Sequence, residues 1–206
     1  MILNYASPTV FETSIDNKKI KNELEQITND YDLLCYVKNH ISFFMESQLV
    51  TAEWFSKFDT DILNELHIYT TKFSGVEVRK DDVSILVIDC NFDLKTYNDV
   101  SVNIRFYGKS YGSIFLNAAT SANIKVTGTS TVELYASDNV QANVLALGKS
   151  RLFVEAHKNS FLAIRNRSRG EVQIDKGEEN VICQLNWLLI KIIHKWNQSI
   201  QNPTIF

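Results

Sequence analysis

Proline is almost absent, and where it is absent matters. The chain has 206 residues but only two prolines, Pro8 and Pro203, both outside residues 66–181. A long stretch without proline suits a sheet in which every backbone N–H is needed for a ladder. Cysteine is also scarce. Three residues, Cys35, Cys90 and Cys183, give an odd number and no metal-type spacing. A disulfide framework is not expected, and a reducing compartment is favoured. No apolar run is long enough to span a bilayer, since the one around Trp187–Ile193 is broken by Lys191. The N-terminus has no basic start followed by an apolar stretch, so no signal peptide is read there. A soluble, cytoplasmic protein without membrane contact is expected.

Charge is nearly balanced at −3, but it is unevenly spread. Residues 1–65 hold 5 basic and 11 acidic side chains, whereas residues 102–170 hold 9 basic and 3 acidic ones. The balance excludes a general drive toward nucleic acid, while the local excess marks one segment as electropositive.

What is present in quantity is repetition. Cut into tens from Leu66, with residues 96–101 skipped and Val102 as the restart, the chain has an aliphatic third position in every block. These are Ile68, Val78, Ile88, Ile104, Ile114, Ile124, Leu134, Val144, Val154, Ile164 and Ile174. Gly108, Gly128 and Gly148 recur at a second period of twenty. Segments such as VNIRF, ANIKV, VELYA and LFVEA alternate apolar with other residues, the period of a strand with one buried face.

A strand and a corner fill ten residues, so two sides make a twenty-residue coil. The pattern predicts a two-sheet β-solenoid over residues 66–181, in which each coil buries its face only by stacking on the next. The three glycines are expected at φ > 0 in one corner. Ser74, Ser84, Ser110, Thr120, Ser130, Ser150 and Ser160 fall at the ninth position, where a small hydroxyl can bond the backbone. Cys90 falls at a fifth, core position. Residues 96–101 read either as a shortened side or as a corner loop.

The flanks read as helical, making the whole α+β, mainly β. In residues 1–65, Ile20, Leu24 and Ile27 have helical spacing, residues 31–44 continue a compact unit, and Thr51 can cap a third helix bearing Trp54, Phe55, Phe58, Ile62 and Leu63. Residues 182–206 suggest an amphipathic helix that caps the last coil, with a dimer contact as its competing use.

The decads ANVLALGKSR and ANIKVTGTST resemble the A-x-V-x-A-x-G-x-S half-turns of bacterial and bacteriophage β-solenoids. The resemblance covers residues 66–181 and is carried by core and corner residues. It implies architecture, and it transfers no site residue.

With odd positions inside, even positions point outward. One outer face carries Asn103, Asn123 and Asn143 beside Arg105, Lys125 and Arg165, with Lys109, Lys149 and Arg169 at the adjoining corner. Stacked like charges repel unless solvent screens them or an anion meets them. These six cations are the candidate anion-binding set. The Asn column reads as a structural ladder. The opposite face carries Phe115, Tyr135 and Phe153, a candidate apolar partner patch or a surface for packing a flanking helix.

Catalytic patterns are thin. His40, His67, His157 and His194 are scattered, no nucleophile, phosphate-loop or zinc motif occurs, and no cofactor or metal is implied. Glu155 and Asp175 on successive coils form the best carboxylate pair. The expectation is a non-enzymatic binding protein, monomeric or dimeric. It would dock its polarised face on a host protein or ribonucleoprotein, with possible RNA or DNA phosphate contacts. An anti-CRISPR-like or related anti-defence inhibitor fits by analogy. The alternatives are a structural phage or surface-appendage protein and a carbohydrate-active β-helix enzyme.

Overall fold

A computed structural model describes residues 18–70, 73–177 and 182–185. Five short helices come first: α1 (Lys18–Leu24), α2 (Asp30–Asn39), α3 (Ile41–Glu46), α4 (Ala52–Phe55) and α5 (Thr60–Glu65). Local signals set their starts. The side chains of Asn29, Thr51 and Asp59 accept from the backbone N–H of Asp32, Trp54 and Asp61, caps worth about 1 kcal/mol each. Where the sequence suggests one helix after Thr51 there are two, because Asp59 begins a new one.

The strands follow: β1 (Ile68–Tyr69), β2 (Phe73–Val78), β3 (Val83–Ile88), β4 (Asn91–Thr96), β5 (Ser101–Tyr107), β6 (Tyr111–Leu116) and β7 (Ser121–Val126). Then come β8 (Thr131–Ala136), β9 (Gln141–Gly148), β10 (Arg151–Ala156), β11 (Phe161–Ser168), β12 (Val172–Lys176) and β13 (Ile182–Leu185). They form two parallel sheets, β1-β3-β5-β7-β9-β11-β13 and β12-β10-β8-β6-β4-β2. The chain is a two-sheet β-solenoid of about five coils with helices at its N-terminal side.

From Val102 the decad register holds. Ile104, Ile124, Val144 and Ile164 stack in one sheet, and Ile114, Leu134, Val154 and Ile174 in the other. The core between the sheets is continuous from Val78 to Ile164, with Ile174 partly buried at its end.

Before Val102 the register differs from the decads. The positions equivalent to Ile104 and Ile114 are Val76, Ile85 and Leu94, which stand nine residues apart. The first sides are therefore one residue short, and residues 96–101 are no insertion. Thr96 ends β4, a corner follows, and Ser101 opens β5.

Several column assignments change with it. Ile68 and Ile88 face outward, and they pack with Leu86 and Tyr107 against α-helical residues such as Leu34, Val37 and Phe44. Val78 is in the core, but level with Thr96 rather than Leu94. Ser74 and Ser84 are strand residues opposite Phe92 and Asn103, not corner residues. Cys90, level with Ser110 across the Asn91–Tyr111 pair, takes the corner place instead. The helices thus lie on the outer face of the seven-stranded sheet. They explain why Ile85–Ile88 is apolar without alternation: both of its faces are covered.

The corners obey two rules. Gly108, Gly128 and Gly148 have φ of 70°, 69° and 71°. A Cβ on Gly128 would stand 2.6 Å from the Gly108 carbonyl oxygen, so glycine is required for space as well as for φ. Ser110, Thr120 and Ser160 turn inward and donate to the carbonyls of Tyr107, Asn117 and His157. The opposite corner uses left-handed Asp138, Asn139, Lys158 and Asn159 in place of glycine.

Ile182–Leu185, placed by sequence at the start of a closing helix, pairs with β11 as a strand. An apolar, β-compatible run completes a ladder on that edge more fully than one helical turn would. The rest of the expected capping helix, residues 186–206, lies outside the described residues.

Candidate anion-binding site

The outer face of the seven-stranded sheet carries a groove of about 660 Å³ beside α3. Its lining includes Ser42, Arg105, Lys125, Arg165 and the Asn103–Asn123–Asn143 column, with no carboxylate. Strand alternation aims these side chains outward. Pairing fixes Arg105, Lys125, Leu145 and Arg165 as one column. In the Asn column, Asn143 Nδ2 donates to Asn123 Oδ1 at 3.3 Å, one rung of the ladder read from sequence.

The six sequence-nominated cations do not share one environment. Arg105 Nη1 donates to the Lys38 carbonyl at 3.3 Å, and its Nε is buried with no partner among the described residues. Lys125 Nζ donates to Ser42 Oγ at 2.9 Å and stands 5.7 Å from the centre of the Tyr107 ring. Both therefore help seat the helices. Lys38 joins them from α2. Its Nζ donates to the carbonyls of Leu66 and Ser84, at 2.5 Å and 2.6 Å. Burial and the neighbouring Arg105 push its ammonium down to about 8.

Arg165, Lys149 and Arg169 are exposed, as is Lys109 two coils earlier. Arg151 and Arg167, outside the second, fourth and eighth positions of the decads, are exposed beside the first three. Together Lys149, Arg151, Arg165, Arg167 and Arg169 make a ridge along the corner of the last described coils. None of the five is in an ion pair among the described residues.

The ridge is firmly built. Arg165 and Arg167 are level with Leu145 and Leu147 in the β11–β9 ladder, and the Arg169 N–H donates to the Gly148 carbonyl. Asn166 Oδ1 accepts from both the N–H and the hydroxyl of Ser168, at 2.8 and 2.9 Å, closing the turn where earlier coils use glycine. The signal that identifies it is Arg-Asn-Arg-Ser-Arg, with Arg165 and Arg167 at alternate outward places of β11 and Arg169 just past its end.

The opposite face is distinct. Phe115 and Tyr135 stack with centroids 4.7 Å apart and planes 6° from parallel, and Lys95 Nζ lies 5.9 Å from the Phe115 centroid. Phe153 belongs to the neighbouring column, opposite Glu133, so the three aromatics are not one row. A depression of about 330 Å³ lies beside Tyr135, Phe153, Glu133, Glu155 and Asp175. The described helices lie on the other sheet, so they do not cover this face.

Glu155 and Asp175 are paired in register, as their spacing suggests, and Glu155 is also 2.7 Å from His157 Nε2. Among the described residues no group of three His, Cys, Asp or Glu is placed to hold a metal ion, and no helix is long and apolar enough to cross a membrane. Cys35 and Cys90 are free thiols.

Comparison with protein-family models, with characterised proteins and with solved structures returns no match, so the likeness of the decads to bacterial and bacteriophage solenoids rests on the repeat pattern alone.

Proposed function

We propose that this chain is a non-enzymatic binding protein whose rigid solenoid presents a basic surface to an anionic partner. The observation that carries the reading is the ridge. Five exposed cations stand together without an ion-pair partner among the described residues, in a chain whose net charge is −3. A solubilising surface mixes both signs. Of the 24 acidic residues, 11 fall in residues 1–65, and Glu133, Glu155 and Asp175 lie on the opposite sheet face.

The partner class that suits such a surface is a host protein or ribonucleoprotein that handles nucleic acid, met in the cytoplasm. The narrower form of the reading, an anti-CRISPR-like or other anti-defence inhibitor from a phage or mobile element, is supported by size, architecture and free thiols, all by analogy.

The experiment is affinity capture from host lysate with wild-type protein and with Arg165→Glu/Arg167→Glu/Arg169→Glu, each with and without nuclease. The reading expects one stoichiometric partner that the triple variant loses while remaining folded. A folded triple variant that captures the same partner equally well contradicts it.

A further inference from the structure

We infer that the ridge binds a phosphodiester backbone directly, so that the ligand is a nucleic-acid strand rather than only a protein that handles one. The inference rests on the anion-binding reading above and adds the ligand's chemistry.

The spacing is the first argument. Arg165 and Arg167 stand at alternate places of β11 in register with β9, and Arg169 follows just past the end of that strand, where its N–H donates to the Gly148 carbonyl. Alternate residues of a strand are roughly 6.7 Å apart. That is close to the step between consecutive phosphates along an extended nucleic-acid strand. A regular row of cations matches a regular row of anions. Alternate carboxylates of an acidic strand would repeat at the same interval, which is why poly-glutamate stands beside the oligonucleotides in the test.

The second argument is chemical. Three of the ridge's alternate places hold arginine, whose planar fork pairs two N–H groups with two oxygens of one phosphate. Lys149 lies one coil from Arg169 at the same corner. Neighbouring coils are roughly 4.8 Å apart, so it adds a charge beside the row rather than along it. Arg151 extends the same edge toward the other sheet.

The third argument is preorganisation. The Asn166–Ser168 bonds hold the turn between Arg167 and Arg169. A Cβ on Gly170 would fall 2.0 Å from the Ser150 carbonyl oxygen, so the chain behind the ridge packs directly on the coil before it. Little backbone freedom remains to be lost on binding.

The test is fluorescence anisotropy with the full chain. A labelled twenty-nucleotide oligo-dT and a duplex of equal length are titrated over a range of salt, with poly-glutamate as a non-nucleic polyanion. Three to five phosphate contacts predict a log–log salt slope of about −2 to −3.5 for the single strand. Arg167→Ala should flatten the slope by about 0.7, and the triple Arg→Ala variant at 165, 167 and 169 should weaken binding by about tenfold or more. Circular dichroism shows whether each variant keeps its fold.

Binding of either oligonucleotide with these dependences supports the inference, and their ratio identifies the strandedness preferred. Capture of poly-glutamate but of neither oligonucleotide at low salt overturns it while leaving the anion-binding reading intact. Binding of no polyanion at all overturns both. Oligonucleotide binding that Arg167→Ala and the triple variant leave unchanged places the contact elsewhere and also overturns it.

Discussion

Lys125 donates from Nζ to Ser42 Oγ at 2.9 Å, so a cation from the middle of the solenoid is fastened to α3. Arg105, one coil earlier, is fastened to the carbonyl of Lys38 in α2. These two differ from Arg165 in what they do for the fold, although all three share one outward column. Arg105→Glu should place a carboxylate where a half-buried guanidinium meets a carbonyl oxygen, and lower stability by about 1–3 kcal/mol. Arg165→Glu, on an exposed side chain, should stay within about 0.5 kcal/mol of wild type. Urea titration of both variants checks the contrast, and equal stabilities would show that the helices do not depend on Arg105.

Gly128 should tolerate no side chain. Its φ is 69° and an added Cβ would meet the Gly108 carbonyl oxygen at 2.6 Å. The left-handed backbone alone costs a non-glycine residue on the order of 1–3 kcal/mol, and the clash adds to it. Gly128→Ala should therefore lower the melting temperature clearly. Gly75 has no positive φ, and a Cβ there would meet nothing closer than 3.9 Å. Gly75→Ala should have little effect. Equal melting temperatures for the two variants would contradict the corner geometry.

Ile124 lies between the two sheets at 2% exposure. Ile124→Val should cost about 0.5–1.5 kcal/mol. Ile124→Asp buries an unpaired charge and should cost several kcal/mol, comparable with a whole domain's roughly 5–15. Soluble, cooperative unfolding of the Asp variant at near-wild-type urea concentration would show that this column is not core.

The buried ammonium of Lys38 makes stability depend on alkaline pH. Its folded-state value is lowered to about 8 from the ordinary 10.5, so between those values the unfolded chain binds more protons than the folded one. Stability then rises with pH through this window, and the cost of holding the charge is largest below pH 8. Between about pH 8 and 9.5 tyrosine contributes little, but Cys35 and Cys90, whose thiols burial pushes up, work in the opposite direction, so the Lys38 contribution is read as the difference between wild type and a Lys38 variant. The urea midpoint of wild type minus that of Lys38→Met should increase across this range. Parallel pH profiles would remove Lys38 as the source.

The sequence makes the architecture legible from Val102 onward because strand length and corner chemistry repeat there without a slip. It misleads before that point because the first sides are nine residues long. A ten-residue grid laid over them moves Ile88 onto a core column and Cys90 off its corner. The run Ile85–Ile88 held the missing information, since four consecutive buried aliphatics require cover on both faces. Alternation alone does not show which outer face another unit covers, so Arg105 and Lys125 looked as free as Arg165. Arg167 stands at the sixth position of its decad, where the preceding coil has Leu147, so no repeated basic column marks it.

The most direct measurement of the central claim is a parallel titration of one polyanion, heparin, onto three proteins. These are wild type, Arg165→Glu/Arg167→Glu/Arg169→Glu, and Glu133→Gln/Glu155→Gln on the opposite face. The account predicts that the ridge variant, folded as judged by its melting curve, loses about tenfold or more in affinity, while the opposite-face variant binds as well as wild type or better. A folded ridge variant that binds heparin as tightly as wild type would contradict it.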